Sequence, residues 1–119
     1  MLIGVPSEVK VHEYRVGLVP AGVRELVHHG HQVVVQSGAG AGIGMFDADY
    51  QDAGATIVQS AEEVFAKADM IVKVKEPQAS EYKQLSEDQV LFTYLHLAPD
   101  QEQTQGLVDS GCTAIAYET

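Results

Sequence analysis

Basic side chains are scarce: seven lysines and arginines stand against 17 aspartates and glutamates, for a formal net charge of −10. A surface of that sign repels phosphate backbones and anionic lipid headgroups, which excludes nucleic acid and membrane surfaces as partners. The arginines are only two, Arg15 and Arg24, so any function that captures an anion must rest on very few cations. Cys112 is the single cysteine, which rules out a disulfide within the chain. A lone thiol in a strand-like stretch reads as a small buried apolar residue, and the bland compartment is the cytoplasm. No apolar run approaches the ~20 residues that a membrane-spanning helix needs. The opening Met1-Leu-Ile-Gly-Val-Pro-Ser-Glu8 lacks the basic leader and apolar core of a secretory signal, so a cytoplasmic protein is expected.

What is present is a chain of 119 residues, enough for one compact domain and too few for two ordinary ones. Strand-like and helix-like segments alternate throughout. Leu2 to Val5 is a short apolar run ended by Pro6. Pro20 opens a helix in which Val23, Leu26 and Val27 recur at helical spacing, and Gly30 closes it. Gln32 to Gln36 holds three consecutive valines and has strand character. Asp47 is placed as the cap of a short helix to Ala53, and Ala55 to Val58 as a brief strand. Ser60 and Glu63 fit a capping box that opens a helix to about Ala68. Met70 to Lys75 reads as a strand, Ala79 to Leu85 as a short helix, and Val90 to Leu95 as a strand. Pro99 begins a helix to about Asp109, and Thr113 to Tyr117 is a final strand. This rhythm indicates βαβ units: an α/β fold with a mainly parallel sheet and helices on both faces, flavodoxin-like or Rossmann-like. The chain stops directly after a strand, an ending that looks like an interruption.

The loop from Gly38 to Gly44 invites assignment as a dinucleotide-binding turn, but the spacing fails. The fingerprint needs glycines at its first, third and sixth positions, and the sixth is Ile43, Met45 or Asp47 in the three available registers. The acidic residue expected about 20 positions later is missing as well. A flexible turn that uses positive φ is the simpler reading, so no residue of this chain is assigned to a cofactor. His28, His29 and His31 gather round Gly30 at a helix end, where imidazoles bond free carbonyls. With no cysteine near them and no carboxylate closely flanking, no metal site is expected. His12 receives no role.

Ligands of a parallel sheet bind outside the carboxyl ends of its strands. Three positions there suit a small oxoacid. Arg15 lies where a polar loop turns apolar, and its guanidinium offers a planar fork that fits a carboxylate. A salt bridge to Glu8 or Glu13 is the alternative use. Lys73 and Lys75, two apart on a strand, share a face and could hold a carbonyl oxygen or carboxylate, or simply reach solvent along their stems. Lys75 is preferred because it is nearer the strand's end. His96 ends the strand that begins at Val90, and an imidazole exchanges protons near neutral pH.

Several blocks, in order, carry a resemblance to a known family: Gly4-Val-Pro-Ser-Glu8, Glu13-Tyr-Arg-Val16, Pro20-Ala-Gly-Val23, Val72-Lys-Val-Lys-Glu-Pro77, Leu91-Phe-Thr-Tyr-Leu-His-Leu-Ala98 and Ala114-Ile-Ala-Tyr-Glu118. Over essentially its whole length the chain resembles the amino-terminal segment of alanine dehydrogenases and of the alpha subunit of nicotinamide nucleotide transhydrogenases. His96 favours the first branch, since transhydrogenase subunits lack that histidine. The resemblance implies an NAD-dependent reaction of L-alanine catabolism, in which alanine, NAD and water give pyruvate, ammonium and NADH. It implies that His96 is the proton donor and acceptor, that Arg15 binds the substrate carboxylate, and that Lys75 contacts the substrate carbonyl or carboxylate. It further implies that residues 1–119 are the first part of the substrate-binding domain and are inactive alone. NAD is then held by a domain absent from this chain, and the protein is a homo-oligomer, hexameric in the family. His12, Gly17 and Val19 depart from the family's usual asparagine, alanine, and serine or threonine. Two other readings remain: a transhydrogenase alpha-subunit-like domain, and a stand-alone module that binds small carboxylates. A signalling receiver is disfavoured, because Pro6-Ser7-Glu8 replaces the acidic cluster that class needs after its first strand.

Overall fold

A computed structural model of the protein describes residues 1–118. Six strands form one all-parallel sheet: β1 (Leu2–Val5), β2 (Gln32–Gln36), β3 (Thr56–Val58), β4 (Met70–Val72), β5 (Val90–Thr93) and β6 (Thr113–Ala116). Their spatial order is β3-β2-β1-β4-β5-β6, so the chain winds one way from β1 to β3 and then returns to wind the other way. The helices are α1 (Pro20–His28), α2 (Asp47–Asp52), α3 (Ala61–Lys67), α4 (Ala79–Tyr82) and α5 (Gln101–Ser110).

Two apolar cores lie on opposite faces. On one, Val23, Leu26 and Val27 of α1 and Tyr50 of α2 cover Ile3, Val5, Val33 and Val35. On the other, Val64 and Phe65 of α3, Tyr82 of α4 and Leu107 of α5 cover Val34, Ile71 and Leu91. A central strand buried on both faces reads as a continuous apolar run, which is why β1 and β2 are plain in the sequence. Gly4 matters here: a Cβ at that position would lie 2.7 Å from both Ala68 Cβ and Val64 Cγ1, so its absence lets α3 approach β1. β6 differs from the other strands, because all four of its residues are exposed.

The boundaries correct several expectations. β4 stops at Val72, so Lys73 and Lys75 lie beyond the strand. α4 ends at Tyr82, β5 at Thr93 and β6 at Ala116, each earlier than the local pattern implies. α5 starts at Gln101, capped by the Asp100 side chain, which accepts from Gln103 N at 3.0 Å; Pro99 stands outside it. Asp47 does not cap α2 but is its first residue. Its carboxylate accepts instead from Ser37 Oγ at 2.6 Å and Gly38 N at 2.9 Å, and these bonds hold it below the usual carboxylate range. Ser60 caps α3 as expected, accepting from Glu63 N at 3.3 Å. Cys112 is half-buried beside the α3–α5 core rather than enclosed in it.

Candidate functional site

Because β1 pairs with both β2 and β4, the chain reverses its winding direction between β1 and β4. Loops that leave two such strands on opposite sides open a crevice at their carboxyl ends. Here those loops are residues 6–19 and 73–78. The first is anchored from below: the buried Tyr50 phenol donates to Leu18 O at 2.7 Å, and burial pushes its pKa up to about 12.

The floor of the crevice is an ionic cluster. Glu8 accepts from Lys73 Nζ at 3.1 Å, from Val74 N at 3.1 Å and from Lys75 N at 3.0 Å. Lys73 also lies 2.9 Å from Glu81 Oε2 on α4. The side chains of Glu8, Lys73 and Glu81 are 2%, 1% and 3% exposed, so one ammonium serves two buried carboxylates. Burial raises the Glu81 pKa, against the pull of Lys73. Two further bonds tie down the same backbone: Thr93 Oγ1 donates to Lys75 O at 2.8 Å, and Tyr117 OH donates to Lys73 O at 2.9 Å.

Above this floor the two lysines part company. Lys73 is enclosed and paired, whereas Lys75 is half-buried at the rim, and its ammonium makes no ion pair among the described residues. Lys75 and His96 line one cleft of about 340 Å³, with Lys10, Glu76, Pro99 and Asp100. His96 also faces a neighbouring hollow of about 540 Å³, together with Tyr94 and Glu118. Its backbone sits at φ +50°, a left-handed conformation that costs a non-glycine residue energy and that clusters at functional positions. Leu95 N, just before it, donates to Glu118 Oε1 at 2.8 Å. Glu76 is held by Lys10: burial drives its carboxyl up, but the Lys10 hydrogen bond, a backbone hydrogen bond and the charges of Lys10 and Lys75 together leave it lowered.

Arg15 is absent from the lining of that cleft and is paired with Glu13. Its Nε donates to Glu13 Oε2 at 2.9 Å and its Nη2 donates to Glu13 Oε1 at 2.8 Å. The alternative foreseen for Arg15, a salt bridge to Glu8 or Glu13, is thus realised with Glu13. The fork is only half used, because Nη1 has no partner among the described residues and the end-on edge stays free. The Arg15 side chain is 59% exposed. The Arg15 hydrogen bonds bring the Glu13 pKa down to about 2, with a smaller pull from the Lys75 ammonium, which puts Lys75 within coulombic range of the pair. Tyr94, from the His96 side, contributes in the same way to the raised Arg15 pKa, behind Glu13 itself. Sequence reasoning missed Glu8 as a backbone clamp and Tyr94 as lining. The available signal was Pro6-Ser7-Glu8, an acidic residue placed directly at the exit of the first strand.

The glycine-rich loop is spoken for internally. A Cβ on Gly40 would lie 2.6 Å from Met45 O, and one on Gly42 would lie 2.9 Å from Tyr14 O. These glycines admit neighbouring protein backbone, not a pyrophosphate. The exit of β1 is occupied by the buried Glu8 carboxylate. The described residues therefore do not fit a dinucleotide. Among them, no group of three or more histidine, cysteine or acidic side chains is arranged to hold a metal ion.

A 3-2-1-4-5-6 parallel sheet with Lys75 and His96 lining a switch-point cleft, and Arg15 on the loop that leaves β1, defines a doubly wound α/β domain with a cation-bearing rim. The chain belongs to the alanine dehydrogenase/PNT N-terminal domain family, whose model matches residues 4–119. It is 56% identical over its whole length to an alanine dehydrogenase of Halomonas elongata, of which it spans 32%. Its fold superposes on a solved L-alanine dehydrogenase with a TM-score of 0.97 at 53% identity, covering all of this chain and 33% of the other. A transhydrogenase from Sinorhizobium meliloti gives a TM-score of 0.90 at 28% identity, over 98% of this chain and 34% of that one. The chain thus spans about a third of the length of the relatives it matches.

Proposed function

We propose that residues 1–119 are the amino-terminal part of the substrate-binding domain of an NAD-dependent alanine dehydrogenase. The reaction is L-alanine + NAD⁺ + H₂O → pyruvate + NH₄⁺ + NADH + H⁺, in a cytoplasmic homo-oligomeric enzyme of L-alanine catabolism. The observation that carries this reading is the cleft shared by Lys75 and His96 at the switch point, with an exposed Arg15 on the loop that leaves β1. Arg15 takes the substrate carboxylate on its free Nη edge, where two parallel hydrogen bonds fix orientation. Lys75 directs a compact positive charge at the substrate's carbonyl or carboxylate oxygen. His96 exchanges a proton with the group on the α-carbon as it passes between amine and carbonyl. Hydride transfer to the nicotinamide belongs to residues outside this chain, in keeping with the misfit of its glycine loop.

The transhydrogenase-like alternative is weaker, since identity falls from 53% to 28% between the two solved structures and His96 suits an oxoacid chemistry. The test is NADH oxidation by the full-length gene product with pyruvate and ammonium, compared with the 119-residue chain alone. Turnover is expected in the first and none in the second. A full-length product that ignores pyruvate, or that needs a second nicotinamide as acceptor, defeats the proposal. If the isolated chain binds pyruvate, and loses it on Arg15→Ala, while the full-length product lacks activity, the small-carboxylate module is the better description.

A further inference from the structure

We infer that Glu8 is a positioning residue for Lys75, acting through the backbone that both share. The inference rests on the substrate role proposed for Lys75. One buried carboxylate receives two consecutive backbone N–H groups, those of Val74 and Lys75, at 3.1 and 3.0 Å. β4 has already ended at Val72, so these amides have left the strand and need another acceptor. Glu8 supplies it from the far side of the crevice, 67 residues away in sequence.

The carboxylate is itself fixed. Its Oε1 is shared between Lys75 N and the Lys73 ammonium, and the side chain is 2% exposed, so it has no freedom to swing toward solvent. On the carbonyl side of the same residue, Thr93 Oγ1 holds Lys75 O at 2.8 Å. Lys75 is therefore gripped at its N–H by β1's loop and at its C=O by β5, while its ammonium makes no ion pair among the described residues. A flexible four-carbon stem gains a defined reach only when its base is held this way, and a misplacement of about 1 Å can cost about a hundredfold in rate. Glu8 does not itself line the cleft and meets it through the backbone N–H of Lys75, so its effect passes through Lys75.

Glu8→Gln tests this in the full-length protein. Glutamine keeps the length but offers one acceptor oxygen for two amide protons, and it turns an NH₂ toward a donor. Four proteins are compared by thermal melting and by pyruvate steady-state kinetics: the parent, Glu8→Gln, Lys75→Met and the double variant. The expected result is a folded Glu8→Gln with kcat/KM for pyruvate reduced about tenfold or more. The double variant should be no worse than Lys75→Met alone, since Glu8 acts only through that lysine. Additive losses in the double variant, or a folded Glu8→Gln with parental kinetics, overturn the proposal. If Lys75→Met itself has parental kinetics, the substrate role of Lys75 fails instead, which separates the two claims. Should Glu8→Gln not fold, Glu8→Asp keeps the charge opposite Lys73 while shortening the reach to the two amides, and is read by the same criteria.

Discussion

Lys73→Met is expected to destabilise the domain far more than Lys75→Met, although the two lysines lie two positions apart. Methionine matches the stem of Lys73 closely, so packing is retained and only the ammonium is lost. That ammonium is 1% exposed and sits 3.1 Å from Glu8 and 2.9 Å from Glu81, both of which are almost fully buried. Its removal leaves two neighbouring buried carboxylates without a counter-charge. Breaking a buried pair from one side costs about 3–5 kcal/mol. At a few degrees per kcal/mol for a domain of this size, the melting temperature should fall by roughly 10 °C or more. Lys75 makes no ion pair among the described residues, and its replacement should fall within about 0.5 kcal/mol of the parent.

The pH dependence carries a sign. Burial already raises the Glu81 pKa, and losing Lys73 raises it further. A carboxyl whose folded pKa lies above its unfolded value favours the folded state while protonated, and this advantage disappears as pH rises through the folded pKa. The Lys73→Met deficit should therefore be largest at pH 7 and shrink as pH falls toward the ordinary carboxylate range. Urea denaturation followed by far-UV circular dichroism at pH 7 and pH 5 measures both quantities. Equal stability of the two methionine variants at pH 7 would refute the buried cluster, and a deficit that grows on acidification would refute its charge balance.

Glu13 should titrate near 2 rather than 4.5, as followed by carboxyl-carbon NMR, because Arg15 binds its ionised form. A lowered folded pKa adds stability above the unfolded value that is lost as pH falls from about 4.5 toward 2, and a midpoint near 4.5 would show the contact absent in solution. Gly4→Ala should cost about 1–3 kcal/mol in urea melts, since its new methyl meets Ala68 and Val64 of α3 at 2.7 Å; a neutral effect would mean that α3 can shift freely. His96→Gln in the full-length protein should lower the rate with pyruvate by about a hundredfold to ten-thousandfold, with folding intact; an unchanged rate would make the imidazole structural.

Much of the fold is written locally. The valine run of β2, the proline at the start of α1 and the Ser60–Glu63 cap of α3 each state their element within a few residues, and the alternation of strand and helix gives the parallel sheet. The ends of β4, β5 and β6 are not written there, because a strand stops where its neighbours stop pairing. The glycine loop was legible as a turn from its failed spacing, and the contacts of Gly40 and Gly42 give the reason. At the candidate site the residue types were legible, but of their pairings only that of Arg15 with Glu13 was. Lys73 and Lys75 look alike in sequence; what separates them is Glu8, 65 and 67 residues away. The half-used fork of Arg15 depends on how the loop bends at Glu13, which no local pattern encodes.

The most direct measurement is a crystal structure of the full-length protein with pyruvate bound. The carboxylate should lie on the end-on edge of Arg15 with Glu13 still holding the opposite edge, and Lys75 Nζ and the His96 ring should both stand within hydrogen-bond reach of the same molecule. Pyruvate bound elsewhere, or touching fewer than all three side chains, would contradict the account.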